Sequence, residues 1–138
     1  MKKIRSFALL VLVFLATGMC LAEVPDLLGD WTGLGNGRDA EENGSFTTME
    51  NWAINMSIGE QTDRLFTGNM TYKDENGTEI VERFAGAIGS DNKTLYITES
   101  NEGFDIGTII SNDEIELIYL QGGKMGSIEI DELHRIKA

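Results

Sequence analysis

Short segments of alternating apolar and polar residues follow one another from Trp52 to Ile136, each closed by a cluster of Gly, Asn, Asp or Ser. A period of two places the apolar side chains on one face, which is typical of a half-buried β-strand. In the clearest segment, Ile54 and Met56 share a face with Trp52, and Asn55 lies on the other. The pattern therefore predicts a meander of antiparallel strands.

About eight strands can be marked along the chain. The first covers residues 29–35, with Trp31 as its large apolar side chain, and residues 36–45 are predicted to be a loop because glycines, asparagines and charges crowd there. Asn76-Gly77 is the strongest hairpin signal, since both residues tolerate a positive φ. The other strands are predicted at about residues 52–59, 66–72, 79–88, 94–98, 104–110, 115–119 and 127–136.

The predicted fold class is all-β, an antiparallel up-and-down meander barrel of about eight strands. Closure into a barrel hides the edges that an open sheet would expose, and a β-sandwich is the alternative. An eight-stranded barrel either fills its interior with side chains or holds one small ligand, which should be compact and apolar here. The expected interior side chains are Trp31, Trp52, Ile54, Met56, Phe66, Met70, Tyr72, Phe84, Leu95, Phe104 and Tyr119.

The first 22 residues have the features of an export signal. Lys2, Lys3 and Arg5 give a positive start, a short apolar stretch follows, and the chain reaches small residues at Ala22, after which we expect cleavage. Cys20 offers the alternative of a lipid anchor, although Met19 precedes it where a lipoprotein signal has a small residue. We expect a secreted or surface-exposed single domain over residues 23–138, without a stable membrane span.

The charge balance excludes some partners. The sequence has 11 basic and 23 acidic residues and a net charge of −12, and an acidic surface of this kind repels nucleic acid and anionic membranes. Cleavage after Ala22 would remove the one cysteine, so disulfides would not stabilise the domain. Stability must then come from the core.

Few residues could carry chemistry. His134 is the one histidine, with no cysteine beside it to share a metal and no nucleophile elbow in the sequence to act on. Residues 74–79 place oxygen donors at alternate positions, but the full spacing of a calcium loop is missing and a hairpin fits better. We expect no enzymatic activity, no cofactor and no metal.

Two short motifs resemble those of known barrels. Gly29-Asp30-Trp31 on the first strand, with Arg135 on the last, resembles the calycins, the lipocalin- and avidin-type barrels, in which a first-strand tryptophan packs under a last-strand arginine at the closed end. Residues 56–59 and 65–68 are similar to the second and third strands of avidin-type barrels. Gly33 stands where avidins have an asparagine for biotin, so biotin is not expected. The chain also resembles small exported archaeal proteins of unknown function.

The motif Asn-x-Ser/Thr occurs more often than chance allows and marks candidate glycosylation sites at Asn43, Asn55, Asn69, Asn76 and Asn92. Two functions therefore remain open for the exported domain. It serves as a structural or interaction module at or outside the cell surface, with a surface protein as partner, or it binds a small apolar ligand inside the barrel. The volume of the interior discriminates between them.

Overall fold

The computed structural model describes residues 23–74, 76–101, 103–123 and 126–137, so the predicted export signal with Cys20 lies outside the described residues. The described chain is all-β, and none of it forms a helix long and apolar enough to cross a membrane. The strands are β1 (Gly29–Ala40), β2 (Phe46–Thr62), β3 (Leu65–Lys73), β4 (Glu79–Ile88), β5 (Thr94–Glu99), β6 (Phe104–Ser111), β7 (Glu114–Gln121) and β8 (Ser127–Arg135).

Each strand pairs antiparallel with the next one in the chain, and β1 also pairs with β8, which closes the sheet into a barrel. The closing ladder joins Trp31 to Arg135 at one end and Asp39 to Ser127 at the other. The prediction of an eight-stranded up-and-down barrel is confirmed.

The loop predicted at residues 36–45 is shorter than expected. β1 continues to Ala40, β2 already begins at Phe46, and the turn occupies the residues between them. The extra residues pair on both sides, because Arg38 lies opposite Thr48 of β2 and Ile128 of β8. Two ladders of backbone hydrogen bonds outweigh the weak strand propensity of the glycines and charges in this stretch.

The hairpin predicted at Asn76-Gly77 is present, but its turn is built differently. Of the two residues only Gly77 has a positive φ, at 78°. Asp74 organises the turn, because its Oδ1 accepts hydrogen bonds from the backbone N–H groups of Asn76 and Thr78. An Asx-type turn therefore replaces the two-residue turn that the dipeptide suggests.

The segment before β1 closes one end of the barrel. The indole Nε1 of fully buried Trp31 donates to the Leu27 carbonyl at 3.1 Å, and the Arg135 guanidinium lies 4.2 Å from the centre of the Trp31 ring. Arg135 also donates to the carbonyls of Asp26, Leu28 and Asn112, which ties β8 to this segment and to the β6–β7 turn. The predicted packing of Trp31 under Arg135 is confirmed.

The half of the barrel next to this closed end is packed solid. Phe66 and Phe84 lie edge to face with ring centres 6.0 Å apart, and each ring covers a glycine of the neighbouring strand, Gly86 and Gly68. Any Cβ at these two glycines would collide with a phenyl ring. The glycines therefore make room for protein side chains. Other buried side chains of this half are Leu27, Met56, Ile58, Ile88, Leu95, Ile97, Ile115, Leu117 and Leu133.

Candidate functional site

The other half of the barrel holds a cavity of about 280 Å³ that opens at the end formed by the β1–β2, β3–β4, β5–β6 and β7–β8 turns. Its volume suits a compact organic molecule. The lining residues are Asp39, Met49, Trp52, Ile54, Met70, Tyr72, Asp74, Glu99, Asp105, Tyr119, Gln121, Ser127, Glu129 and Asp131.

Inward-facing glycines on β1 leave room for neighbouring groups of β8. Between Trp31 and Asp39, the positions of β1 that face the interior are occupied by Gly33, Gly35 and Gly37. Gly35 pairs with Trp52 on one side and with Asp131 on the other, and a Cβ at Gly35 would collide with Asp131 Oδ1. The bare backbone therefore lets this carboxylate and this indole face the cavity from either side of β1.

Besides Asp39 and Asp74, five acidic side chains enter or border this end of the interior. Glu82, Asp105 and Asp131 are 4%, 2% and 2% exposed, and Glu99 and Glu129 are half-buried. They come from β4, β5, β6 and β8. Carboxylates are rarely buried this deeply unless they are paired, so the hydrogen-bond partners of each one matter here.

Hydrogen bonds satisfy one of the three buried carboxylates. Glu82 accepts from the Asn101 backbone N–H at 2.7 Å and from the Tyr72 hydroxyl at 3.2 Å. In the described part of the chain, by contrast, Asp105 Oδ2 and Asp131 Oδ1 are buried without a hydrogen-bond partner. An unpartnered buried acceptor costs about 1–3 kcal/mol, so both atoms would gain from a donor.

Burial raises the pKa of four carboxyl groups that line the cavity. It raises the pKa of Glu99 to about 8, with repulsion from Asp105 as the next cause, and that of Asp105 to about 7, with repulsion from Asp131. The pKa of Glu129 rises to about 7 and that of Asp131 to about 6, in both cases mainly through burial. These groups therefore change charge near neutral pH.

Aromatic and apolar side chains form another part of the cavity wall. The rings of Trp52 and Tyr72 lie 5.5 Å apart with an interplanar angle of 36°, and Ile54 and Met70 lie beneath them. Burial, followed by the nearby Glu82 carboxylate, raises the pKa of Tyr72 to about 12, so its hydroxyl stays protonated and donates to Glu82. One cavity thus joins an apolar wall to an acidic one.

The predicted interior residues divide between the two halves of the barrel. Trp52, Ile54, Met70, Tyr72 and Tyr119 line the cavity. Five other predicted side chains lie nearer the closed end, in the packed half, and do not line the cavity; they are Trp31, Met56, Phe66, Phe84 and Leu95.

The interior position predicted for Phe104 is wrong. Its side chain is 50% exposed on the outer face, and Asp105 points inward instead. The neighbouring strands decide which side of β6 faces inward, because Gly107 pairs with the buried Leu95 on one side and the buried Leu117 on the other. Directly paired residues share a face, so this register turns the odd-numbered positions of β6 inward.

Apolar–polar alternation does not predict the acidic wall, because the usual interpretation turns the apolar side inward. Ile130 resembles Phe104 in this respect, as it is 47% exposed while its neighbour Asp131 is buried. The alternating glycines Gly33, Gly35 and Gly37 are the available signal, since a strand face without side chains leaves space for its neighbours.

His134 and the carboxylates do not form a metal centre in the described ranges. His134 lies exposed on the outer face of β8, away from the cavity. The described His, Cys, Asp and Glu residues include no group of three or more arranged to hold a metal ion.

The candidate glycosylation sites are mostly on the surface. Asn43, Asn55, Asn69 and Asn76 are exposed, whereas Asn92 is half-buried, has a positive φ and donates to the Glu23 carbonyl. The motifs at Asn55 and Asn69 lie side by side on the outer face, because Asn55 pairs with Thr71 and Asn69 pairs with Ser57. Whether any of them carries a glycan stays a prediction.

Comparison with known proteins identifies a fold and little more. No protein-family model matches the chain. A stretch of 66 residues is 30% identical to part of the serine protease SepA autotransporter of Shigella flexneri. It covers 47% of this chain and only 5% of that protein, so this chain spans a small fraction of the length of the curated relative that it matches.

Among solved structures, a redesigned β-barrel is similar over 80% of this chain and 92% of its own length, with a TM-score of 0.55 and 15% identity. A de novo designed fluorescence-activating β-barrel matches 80% of this chain and 94% of its own, with a TM-score of 0.48 and 16% identity. At such low identity the first likeness supports the closed barrel fold alone.

Proposed function

We propose that this protein binds a small organic molecule in the open half of its barrel. The observation that carries the proposal is the cavity of about 280 Å³, with Trp52 and Tyr72 on one wall and convergent polar groups on the other. A concave, largely apolar site with a few placed polar groups is the usual form of a ligand pocket. The packing of Trp31 under Arg135 supports a calycin-like kinship, and eight-stranded barrels of that kind can hold one small ligand.

Filling the mouth of the cavity should weaken binding strongly. Ser127 lines the cavity at the start of β8, so Ser127→Phe should weaken the binding of 1-naphthylmethanol at least tenfold, as measured by titration calorimetry. The unaltered protein should bind one probe with a Kd on the order of 0.1 mM, which is roughly 0.4–0.5 kcal/mol per non-hydrogen atom.

Ser57→Phe is the matched control, because Ser57 is exposed on the outer face of β2 and should leave binding unchanged. Equal binding by both variants would place the probe outside the barrel. No saturable binding by the unaltered protein would reject the proposal and leave the structural or interaction role.

That second role is favoured by an apolar row on the outer surface. Tyr96, Ile106, Ile118 and Ile130 follow one another in direct register across β5, β6, β7 and β8, and three of them are 41–55% exposed. Exposed apolar patches larger than scattered single residues mark contact surfaces. A module that contacts a surface protein would use this face, and such a role is compatible with ligand binding inside.

We also propose that the protein acts outside the cytoplasm after cleavage behind Ala22. The support is the charged start, the short apolar stretch and the small residues of the first 22 positions. Mass spectrometry of protein taken from its source should find a chain that begins at Glu23. A lipid on Cys20, or retention of residues 1–22, would contradict this.

A further inference from the structure

Two buried carboxylate oxygens of residues in the cavity wall lack a hydrogen-bond donor among the described residues. Asp105 Oδ2 and Asp131 Oδ1 have no hydrogen-bond partner in the described structure, both side chains are 2% exposed, and both residues line the cavity. Buried acceptors of this kind are normally satisfied by protein, water or ligand. A ligand that carries a donor group would give these oxygens a partner.

The acidic character of the cavity wall favours a positively charged donor. Among the described lining residues there is no Lys or Arg, so the acids are not neutralised by a basic side chain there. The titratable groups that line or border this space from the surrounding strands are Asp39, Tyr72, Asp74, Glu82, Glu99, Asp105, Tyr119, Glu129 and Asp131. Ionised carboxylates bind cationic donors more strongly than neutral ones.

The aromatic and apolar part of the cavity wall favours an apolar body for the rest of the ligand. Trp52 and Tyr72 offer ring faces, and Ile54 and Met70 give an apolar floor. An aromatic or aliphatic body would pack here, and the ring faces also attract a nearby cation. The site is poorly suited to a bare metal ion, because no described group of three acidic side chains converges on one point.

We propose that the ligand is an organic ammonium compound, with its protonated amine at Asp105 and Asp131 and its apolar body packed against Trp52 and Tyr72. This inference rests on the proposed ligand-binding function and deepens it. The ammonium group donates to the two unpartnered oxygens and keeps its proton. Any carboxyl group that ionises on binding releases its proton to solvent, so binding is coupled to proton release.

Because of this coupling, the affinity for the cation depends on pH. At low pH the wall acids are protonated and neutral, and the cation has no advantage over a neutral ligand of the same shape. As the pH rises through the range in which Asp131, Asp105, Glu129 and Glu99 ionise, at about 6 to 8, affinity for the cation increases.

The test compares three naphthalene probes of similar shape in calorimetric titrations of the unaltered protein. At pH 8.5, 1-naphthylmethylamine should bind at least about tenfold tighter than 1-naphthylmethanol, the effect of one charge-assisted hydrogen bond, and 1-naphthoate should not bind. At roughly pH 5 the amine and the alcohol should bind within threefold of each other.

Two variants test the role of the acids. Asp131→Asn and Asp105→Asn should each weaken amine binding at pH 8.5 about tenfold or more, while binding of the alcohol, which also reports correct folding, changes less than about twofold. Asp30→Asn is the matched control, because Asp30 is exposed on the outer face of β1 and should leave both affinities unchanged.

The possible results separate the two proposals. Equal affinity for the amine and the alcohol at pH 8.5, or equal losses in Asp30→Asn and Asp131→Asn, would overturn the ammonium proposal and leave a binding site for neutral molecules. Absence of binding for all three probes would reject the ligand-binding function itself.

Discussion

Replacing Trp31 with alanine is expected to lower the free energy of unfolding by about 3–5 kcal/mol, the usual cost of truncating a fully buried aromatic side chain. Trp31 is 0% exposed, donates to the Leu27 carbonyl and lies under the Arg135 guanidinium. The variant would therefore lose core packing, a buried hydrogen bond and the contact that closes the barrel end. Denaturant midpoints with unchanged slopes would measure the loss.

His134→Ala is the control for this measurement. His134 lies on the closing strand β8, opposite Thr32, but its side chain is exposed on the outer face. Its removal should cost under about 1 kcal/mol. Similar losses in the two variants would contradict the assignment of Trp31 to the closed end.

The stability of the protein is expected to fall as the pH rises from about 5 to about 8.5. The folded-state pKa values of Asp131 and Asp105, at about 6 and about 7, lie above the ordinary value of 3.8. The folded state therefore binds more protons than the unfolded state, and this stabilisation is complete below about pH 4 and lost as the carboxyls ionise. Since one pKa unit corresponds to about 1.4 kcal/mol, these two groups alone should account for a loss on the order of 3 kcal/mol after allowance for partial solvation.

The loss of stability expected as the pH falls below about 4 has a separate cause. Hydrogen bonds from Thr94 and from the Lys93 backbone lower the pKa of the exposed Asp91 carboxyl to about 2. This group stabilises the folded state above about pH 4 and loses its effect as the pH falls towards 2, which is the opposite direction. The maximum of stability is therefore expected near pH 4–5.

Unfolding curves across this range check the prediction. The double variant Asp105→Asn/Asp131→Asn should lose part of the decline between pH 5 and pH 8.5, since Glu99 and Glu129 still ionise in this range, and should be more stable than the unaltered protein at the upper end. Stability that rises with pH in the unaltered protein, or a double variant with an unchanged slope, would contradict the buried acidic wall.

The architecture could be predicted from the sequence because its signals are local. Alternation over four to eight residues and turn residues such as Asp91-Asn92 define strands and hairpins, and hairpins in series leave a barrel as the best way to hide the edges. The lengths of β1 and β2, by contrast, differ from the prediction. Their ends are held by pairing with distant strands, which no local window reports.

The site could be predicted only in part because its position depends on strand register. Trp52, Tyr72 and Tyr119 are identified from the sequence since their strands present the apolar face to the interior, as is usual. In β6 both faces contain apolar residues, and the pairing of Gly107 with Leu95 and Leu117 decides which side turns inward. Asp105 thereby becomes an interior residue, against the preference of carboxylates for water.

The central claim is that ligand enters beside Trp52 and not beside Trp31. The sequence contains these two tryptophans only, so a ¹⁵N-labelled sample gives two indole N–H signals that serve as probe and internal control. Titration with 1-naphthylmethylamine at pH 8.5 should shift the Trp52 signal saturably and leave that of the buried Trp31 in place. If neither signal moves, or if both move together, the open half of the barrel is not the binding site.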